Sequence, residues 1–274
     1  MPELPEVETT RLAISPYLTN QIITRVTIRN SQLRLPVSGE LSDICPGQTI
    51  EAVERRAKYL ILILSKGYIL IHLGMSGHLR LVNPSTPLEK HDHIELTLEN
   101  GLIVRYQDPR RFGLWLYLTS EPANHKLLNH LGPEPLTDNF NANYLFKRCQ
   151  GKKQSIKSFL MDNQIVVGIG NIYATESLFL AGVHPFESAG NLTIEQLTKL
   201  VNYAKRVLQQ AIDYGGTTLR DFYSLGNPGY FINQLKVYGR KGQACIDCNT
   251  IIESLKIAGR TSAYCPKCQP LKQN

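Results

Sequence analysis

No stretch of this sequence is apolar for long enough to cross a bilayer as a helix. The longest strongly apolar run is Tyr59 to Leu64, far short of the roughly 20 residues a span requires. A helical membrane anchor is therefore excluded. The N-terminus also lacks the basic and then greasy pattern of a secretory signal, because Glu3, Glu6 and Glu8 occupy that region. The expectation is a cytoplasmic protein that does not engage a membrane. There is no internal repeat and no low-complexity tract. Acidic residues are outnumbered, 23 against 30 Lys and Arg, and the formal charge of +7 favours a polyanionic partner. At 274 residues and 42% hydrophobic content, the chain is an ordinary globular sequence with room for two moderate domains, each with its own core.

Cysteine is scarce as well, and four of the six are concentrated near the end. Cys245, Cys248, Cys265 and Cys268 form two pairs, with two residues inside each pair and sixteen between them. That is the spacing of a four-thiolate zinc ribbon, in which each close pair sits on a tight turn and the two pairs close a tetrahedral site. The other reading, two disulfides of a secreted module, finds no support in the rest of the chain. One Zn2+ is expected, and it is structural, since four thiolates leave no position for water. Cys45 and Cys149 read as plain buried thiols.

From residue 21 to 118 the pattern is strand after strand. Thr49 to Arg56 alternates, Tyr59 to Leu64 and Tyr68 to Leu73 are β-rich, and Ile94 to Leu98 and Leu102 to Tyr106 flank the hairpin signal Asn100-Gly101. Such spacing predicts an antiparallel sandwich or barrel. The composition changes at Leu131-Gly132-Pro133-Glu134-Pro135, a joint that marks a domain boundary. Beyond it, Thr193 and Gln196 make a capping box for a helix with apolar positions at Leu197, Leu200, Val201, Ala204, Val207, Leu208, Ala211 and Ile212, stopping at Gly215-Gly216. A shorter helix is predicted around Tyr173 to Ala181, after a glycine turn able to present backbone N–H groups to a phosphate. The polar Thr217 to Gly229 segment reads as a loop.

The first residues carry the sharpest chemical signal. Removal of Met1 would expose Pro2 as a secondary amine beside Glu3 and Glu6. An α-amino group titrates near 7.7–8.0, so roughly a tenth is free base at neutral pH. Attack on an aldehyde-like carbon gives a cationic iminium, and a neighbouring carboxylate can then move protons on the carbon skeleton. A plainer account also fits: Pro5 opens a helix, and Glu6 and Glu8 sit favourably in its first turn.

These pieces resemble the formamidopyrimidine-DNA glycosylases, bifunctional base-excision enzymes for oxidised purines. The matching stretches are Pro2-Glu3-Leu4-Pro5-Glu6-Val7-Glu8-Thr9, His72-Leu73-Gly74-Met75-Ser76-Gly77, Lys90-His91-Asp92-His93 and Asp108-Pro109-Arg110-Arg111-Phe112-Gly113. They continue with Gly168-Ile169-Gly170-Asn171-Ile172-Tyr173, Val237-Tyr238-Gly239-Arg240 and the four cysteines. The resemblance spans essentially the whole chain. It implies an α+β protein: an N-terminal antiparallel β-sandwich flanked by helices (1–131), a helix-two-turn-helix domain (132–239) with a lesion-capping loop at 217–229, and a zinc-ribbon finger (240–274).

By the same resemblance, Pro2 attacks C1′ of the damaged nucleotide, Glu3 transfers protons during sugar-ring opening, and Glu6 orients this site. Two successive eliminations then cut the strand. The target must be extrahelical, because C1′ is inaccessible inside a stacked duplex. Met75, Arg110 and Phe112 match the void-filling residues: a thioether and a ring can wedge between bases, and a guanidinium can hydrogen-bond the orphaned base. Lys58, His72, Asn171 and Arg260 match phosphate-binding positions around the lesion, with Lys157 and Tyr238 as further matches. Ser158 departs from the family, which commonly has proline after that lysine. Without the resemblance, Met75 and Phe112 would be read as core filler, His72 as a core histidine and Asn171 as a cap. His91 and His93 have no evident third ligand, and read as hydrogen-bonding structure rather than a second metal site.

The expected partner is double-stranded DNA with oxidised bases or abasic sites, bound by a monomer. Two alternatives stand beside this reading. An endonuclease VIII type enzyme would share the chemistry but prefer oxidised pyrimidines, whereas Leu4 and the long 217–229 segment look more like the purine-directed branch. A non-catalytic zinc-ribbon DNA-binding protein would leave Pro2, Glu3 and the wedge residues unexplained.

Overall fold

The computed structural model describes residues 2–217 and 230–271. Two compact units emerge: one comprises 1–130 with 214–232, the other 131–213 with 233–274. Apart from Thr217, the expected lesion-capping loop at 217–229 lies outside the described residues.

In the first unit, helix α1 (Leu4–Leu18) begins where Pro5 presets a helical φ, with Glu3 as extended N-cap. There follow β1 (Ile23–Ile28), a short helix α2 (Glu40–Ile44), β2 (Ile50–Arg56), β3 (Tyr59–Leu64), β4 (Gly67–His72), β5 (His78–Val82), β6 (Asp92–Leu98), β7 (Ile103–Gln107) and β8 (Leu114–Leu118). They form two four-stranded sheets, β1-β6-β7-β5 and β2-β3-β4-β8, every neighbouring pair antiparallel.

One core joins the two sheets. Val26, Leu79, Ile94, Leu96 and Val104 from the first sheet meet Leu60, Leu62, Ile69, Ile71 and Trp115 from the second. Each such aliphatic side chain contributes roughly 1.5–3 kcal/mol by leaving water. Helix α1 lies against β2, and Arg55 of β2 donates to Glu8 of α1 at 2.8 Å. The hairpin at Asn100-Gly101 forms, but as a three-residue loop: Leu98 N–H reaches Leu102 O at 2.9 Å and Gly101 takes φ +83°. Glycine at the left-handed position is what that loop class demands.

The second unit is helical, then β. It contains α3 (Ala142–Cys149), α4 (Ile156–Leu160), α5 (Asn171–Leu180), α6 (Ile194–Asp213) and the hairpin β9 (Glu253–Ile257) and β10 (Arg260–Tyr264). The α6 capping box closes in both directions, Thr193 N–H to Gln196 Oε1 at 3.1 Å and Gln196 N–H to Thr193 Oγ1 at 3.3 Å. Its predicted apolar positions are buried, with Ile212 half-buried at the end. The fold is therefore the α+β arrangement expected from the sequence. Cys45 and Cys149 are buried, and burial pushes each thiol up to about 12.

Candidate active site and nucleic-acid interface

The N-terminal residues are enclosed rather than frayed. Pro2 is buried, and Glu3 and Glu6 are each only 2% exposed. Their burial follows from reciprocal capping: Glu3 N–H donates to Glu6 Oε2 at 2.8 Å, and the Glu3 carboxylate accepts the Glu6 backbone N–H. Both carboxylates thus lie where the orphan N–H groups and the positive end of the helix dipole favour negative charge. The second Glu6 oxygen, Oε1, accepts the Thr217 N–H at 2.9 Å. Gly216 permits this approach, since a Cβ there would stand 3.3 Å from the Glu6 side chain and its φ is +84°.

Lys58 is nearly buried in the tight turn between β2 and β3, where Ala57 takes a positive φ of 55°. Arg55, part of the same basic cluster in sequence, is committed to Glu8 and to Ala57 O at 2.9 Å. His72 ends β4 directly opposite Tyr59, with the rings edge-to-face at 4.8 Å. Its Nδ1 accepts the Gly74 N–H at 2.9 Å, which leaves the proton on Nε2. Burial, and then the charges of Lys58 and Arg34, lower its pKa to about 4. His72 is accordingly a neutral N–H donor at physiological pH.

Met75, Arg110 and Phe112 share a surface built from two loops, one between β4 and β5 and one between β7 and β8. Met75 is 37% and Phe112 44% exposed, and the Arg110 guanidinium carbon lies 5.0 Å from the Phe112 ring centroid. Core filling is thus ruled out for both apolar residues. Gly74 lets the loops touch: with φ +72°, a Cβ there would meet Gly113 N and Phe112 C at 2.4 Å. His93 Nε2 donates to Asp108 O at 2.8 Å, and the His91 ring stands 6.1 Å from that of His93. The pair braces the start of this loop.

In the second unit, Lys157 is 1% exposed. Its ammonium donates to Asn171 Oδ1 at 2.6 Å, Ser262 Oγ at 2.6 Å and Thr261 O at 3.4 Å. Asn171 Nδ2 also donates to Thr261 O, at 3.2 Å. A buried ammonium needs such acceptors to offset lost hydration, and here it ties the N-terminus of α5 to β10. Ser158 uses its N–H, which proline would lack, on the α4 cap residue Ser155 at 3.4 Å. Arg260 is exposed at the start of β10, after the turn Ala258-Gly259, whose φ values of +47° and +74° suit a two-residue hairpin.

One residue of this unit escaped the sequence reading. Glu176 on α5, 2% exposed, accepts the backbone N–H groups of Lys236, Val237 and Tyr238 at 2.8 to 3.0 Å. Burial raises its pKa against those three donors. It holds the segment bearing half-buried Tyr238, and only an acidic residue inside an apolar helix face hinted at it.

The four cysteine sulfurs all lie within 4.8 Å of one another, with close contacts of 3.4 Å for Cys248 to Cys265 and 3.5 Å for Cys248 to Cys268. Zn–S bonds of about 2.3 Å in a tetrahedron require S···S separations near ~3.8 Å, so the donor set fits one structural Zn2+. Among the described residues this is the one cluster suited to a metal. A cavity of about 520 Å³ lined by His184, Phe186, Leu255, Lys256, Tyr264, Pro266, Gln269 and Leu271 includes none of the site residues expected from sequence.

Comparison with known proteins agrees with this geometry. Residues 1–115 match the formamidopyrimidine-DNA glycosylase N-terminal domain, 131–223 the formamidopyrimidine-DNA glycosylase H2TH domain, and 242–271 a zinc finger found in FPG and IleRS. A formamidopyrimidine-DNA glycosylase of Legionella pneumophila (strain Lens) is 57% identical over 272 residues, covering 99% of each chain. The Lactococcus lactis Fpg in complex with DNA containing an abasic site is 33% identical, with a TM-score of 0.91 over 98% of this chain and 99% of that one. A variant of the Lactococcus lactis protein with DNA containing Fapy-dG superposes equally well, at 33% identity and TM-score 0.91 over 98% and 100%.

Proposed function

The chain belongs to the formamidopyrimidine-DNA glycosylase family, and on that footing we propose that it excises oxidised purines, 8-oxoguanine and formamidopyrimidines, from double-stranded DNA and cuts the strand at the resulting abasic site. The observation that carries this reading is the burial of Pro2 and Glu3 together at the start of α1, locked by the Glu6 carboxylate. A nucleophile and a proton carrier are thereby adjacent in chain and fixed in space.

Once Met1 is removed, the Pro2 secondary amine attacks C1′ and the base departs with the glycosidic electron pair. Nitrogen supplies the electrons for an iminium as the C1′–O bond opens, with Glu3 delivering the proton to the ring oxygen. Loss of a C2′ proton expels the 3′ phosphate, and a second elimination expels the 5′ phosphate. Glu6 spends both oxygens on backbone N–H groups, so its part is to position the terminus.

Met75, Arg110 and Phe112 form the wedge that fills the space left by the everted nucleotide. Lys58, His72, Asn171 and Arg260 grip phosphates around the lesion, His72 as a neutral donor. Lys157 acts from within the second unit by supporting Asn171 and β10, and Tyr238 contacts the DNA from the 236–238 segment that Glu176 holds. Residues 1–131 carry chemistry and wedge, 132–239 the helical grip, and 240–274 a finger in which Cys245, Cys248, Cys265 and Cys268 bind one structural Zn2+. The protein works as a monomer in the bacterial cytoplasm, where its DNA is.

Borohydride reduction in the presence of an 8-oxoguanine duplex tests the reading. Protein with a free Pro2 should become covalently trapped, whereas protein retaining Met1 or an N-terminal tag should bind the duplex and stay untrapped. DNA binding without trapping by correctly processed protein would establish the non-catalytic alternative. Faster turnover of thymine glycol than of 8-oxoguanine would establish the pyrimidine-directed one.

A further inference from the structure

Asp108 is completely buried just after β7, and each of its polar groups is engaged. Oδ1 accepts the Ser76 hydroxyl at 2.6 Å; Oδ2 accepts the Tyr106 hydroxyl at 3.0 Å and the Gly113 N–H at 2.9 Å. Its backbone N–H donates to His91 O at 3.1 Å, while its carbonyl accepts Arg111 N–H at 3.2 Å and His93 Nε2–H at 2.8 Å. Ser76 Oγ in turn accepts the Arg110 N–H at 3.1 Å.

The addresses of these partners matter. Ser76 adjoins Met75, Gly113 adjoins Phe112, and Arg110 is reached through the Ser76 hydroxyl. One carboxylate thereby fastens the backbone beside all three wedge side chains, across two loops that are otherwise separate in sequence. Arg111, in the middle of the second loop, holds a positive φ of 57° without being glycine, a conformation that persists only where surrounding bonds over-determine it. An ionised carboxylate is costly to bury unless several donors satisfy it. Here those donors are the two loops, through Ser76 and Gly113, and the Tyr106 hydroxyl of β7.

We propose that Asp108 is the positioning residue that holds Met75, Arg110 and Phe112 as one preformed wedge for displacing the lesion base, an inference that rests on the wedge reading above. A wedge rigid before DNA arrives incurs no ordering cost on insertion, and a displacement of an ångström at such a site is enough to slow reaction about a hundredfold. The requirement is greatest for substrates that still carry a base. At a pre-formed abasic site the sugar must still leave the helix, but no stacked base resists it.

The test compares single-turnover excision of 8-oxoguanine with strand scission at a pre-formed abasic site in the same duplex sequence, for wild type and D108N. Asn can keep its one acceptor oxygen on Gly113 N–H and Tyr106, but its NH2 then faces Ser76, whose hydroxyl must accept across a longer contact instead of donating to a charged oxygen, so the tie to the Met75 loop is weakened. Excision should fall at least about tenfold, and abasic scission by less than about threefold. The fluorescence rise of 2-aminopurine opposite the lesion, which reports wedge insertion, should be lost in step with excision. S76A leaves the carboxylate in place but removes the Ser76 hydroxyl, and with it both the bond from the Met75 loop to Asp108 and the bridge to Arg110; it should show the same split and decides the matter if D108N does not fold. Equal loss of both rates, or loss of neither in folded variants, would overturn the proposal. Failure of the wild type itself to excise or be trapped would overturn the functional reading instead.

Discussion

The Glu6 carboxylate accepts the Thr217 backbone N–H at 2.9 Å, a contact that closes over 211 positions of chain, while its other oxygen holds Glu3 N–H at 2.8 Å. One buried side chain thus pins the N-terminal residues to Thr217, where the segment that the sequence reads as a lesion-capping loop begins.

Glu6→Gln is therefore expected to damage both jobs at once. An amide has a single acceptor oxygen, and its NH2 would face a backbone donor, a mismatch worth about 1–3 kcal/mol in a buried site. Thermal denaturation should show a lowered Tm, and borohydride trapping should fall even at saturating duplex. Unchanged Tm with full trapping would mean that the terminus is held by other bonds.

Glu3→Gln separates chemistry from structure. Gln still accepts the helix N–H, so the capping box survives, while the group that moves protons is gone. Strand cleavage should drop by about 10²–10⁴-fold, with duplex affinity within about twofold of wild type. Titration of a fluorescent abasic-analogue duplex checks this, and affinity falling in parallel with turnover would make Glu3 structural.

Cys248→Ser removes one of four thiolates that lie within 4.8 Å of one another. Metal binding is folding energy for such a ribbon, so zinc content should fall well below one per chain and DNA affinity should weaken with it. Exposure of wild type to a strong chelator should reproduce the loss. Retention of stoichiometric zinc and normal affinity in the variant would rule out this ligand set.

His72 gives the first unit a pH dependence whose sign follows from its pKa, lowered by burial from 6.5 to about 4. The unfolded chain takes up this proton first as pH falls, so the stability tied to neutral His72 is complete above about pH 6.5 and is lost progressively down to about pH 4. Between pH 7 and pH 5, the Tm of wild type should fall more than that of His72→Gln. Parallel Tm curves would show that His72 titrates as it does when unfolded.

Much of this was legible along the chain because its cause is local. The α6 capping box needs only Thr193 and Gln196 three residues apart, and the strand run from 50 to 118 needs only alternation and turn residues. The zinc site is readable for a similar reason: two close cysteine pairs can reach one tetrahedral ion only in a few ways. Lys157 shows the opposite case. Its place beneath the surface, with Asn171, Thr261 and Ser262 as partners, depends on β10 returning to α5 after about a hundred residues, so no local pattern distinguishes it from a surface lysine gripping phosphate.

The sequence by itself thus determined the strand run, the long α6 helix, the four-cysteine ligand set and the residue types proposed to react, since each depends on residue type and short-range spacing. Only the tertiary structure decided which polar groups are buried and against what. It made His72 neutral, turned Glu6 into a clamp on Thr217, and joined the Met75 and Phe112 loops through Asp108. Burial and long-range hydrogen bonds come from how the sheets and helices pack, and packing brings together residues that the linear chain keeps far apart.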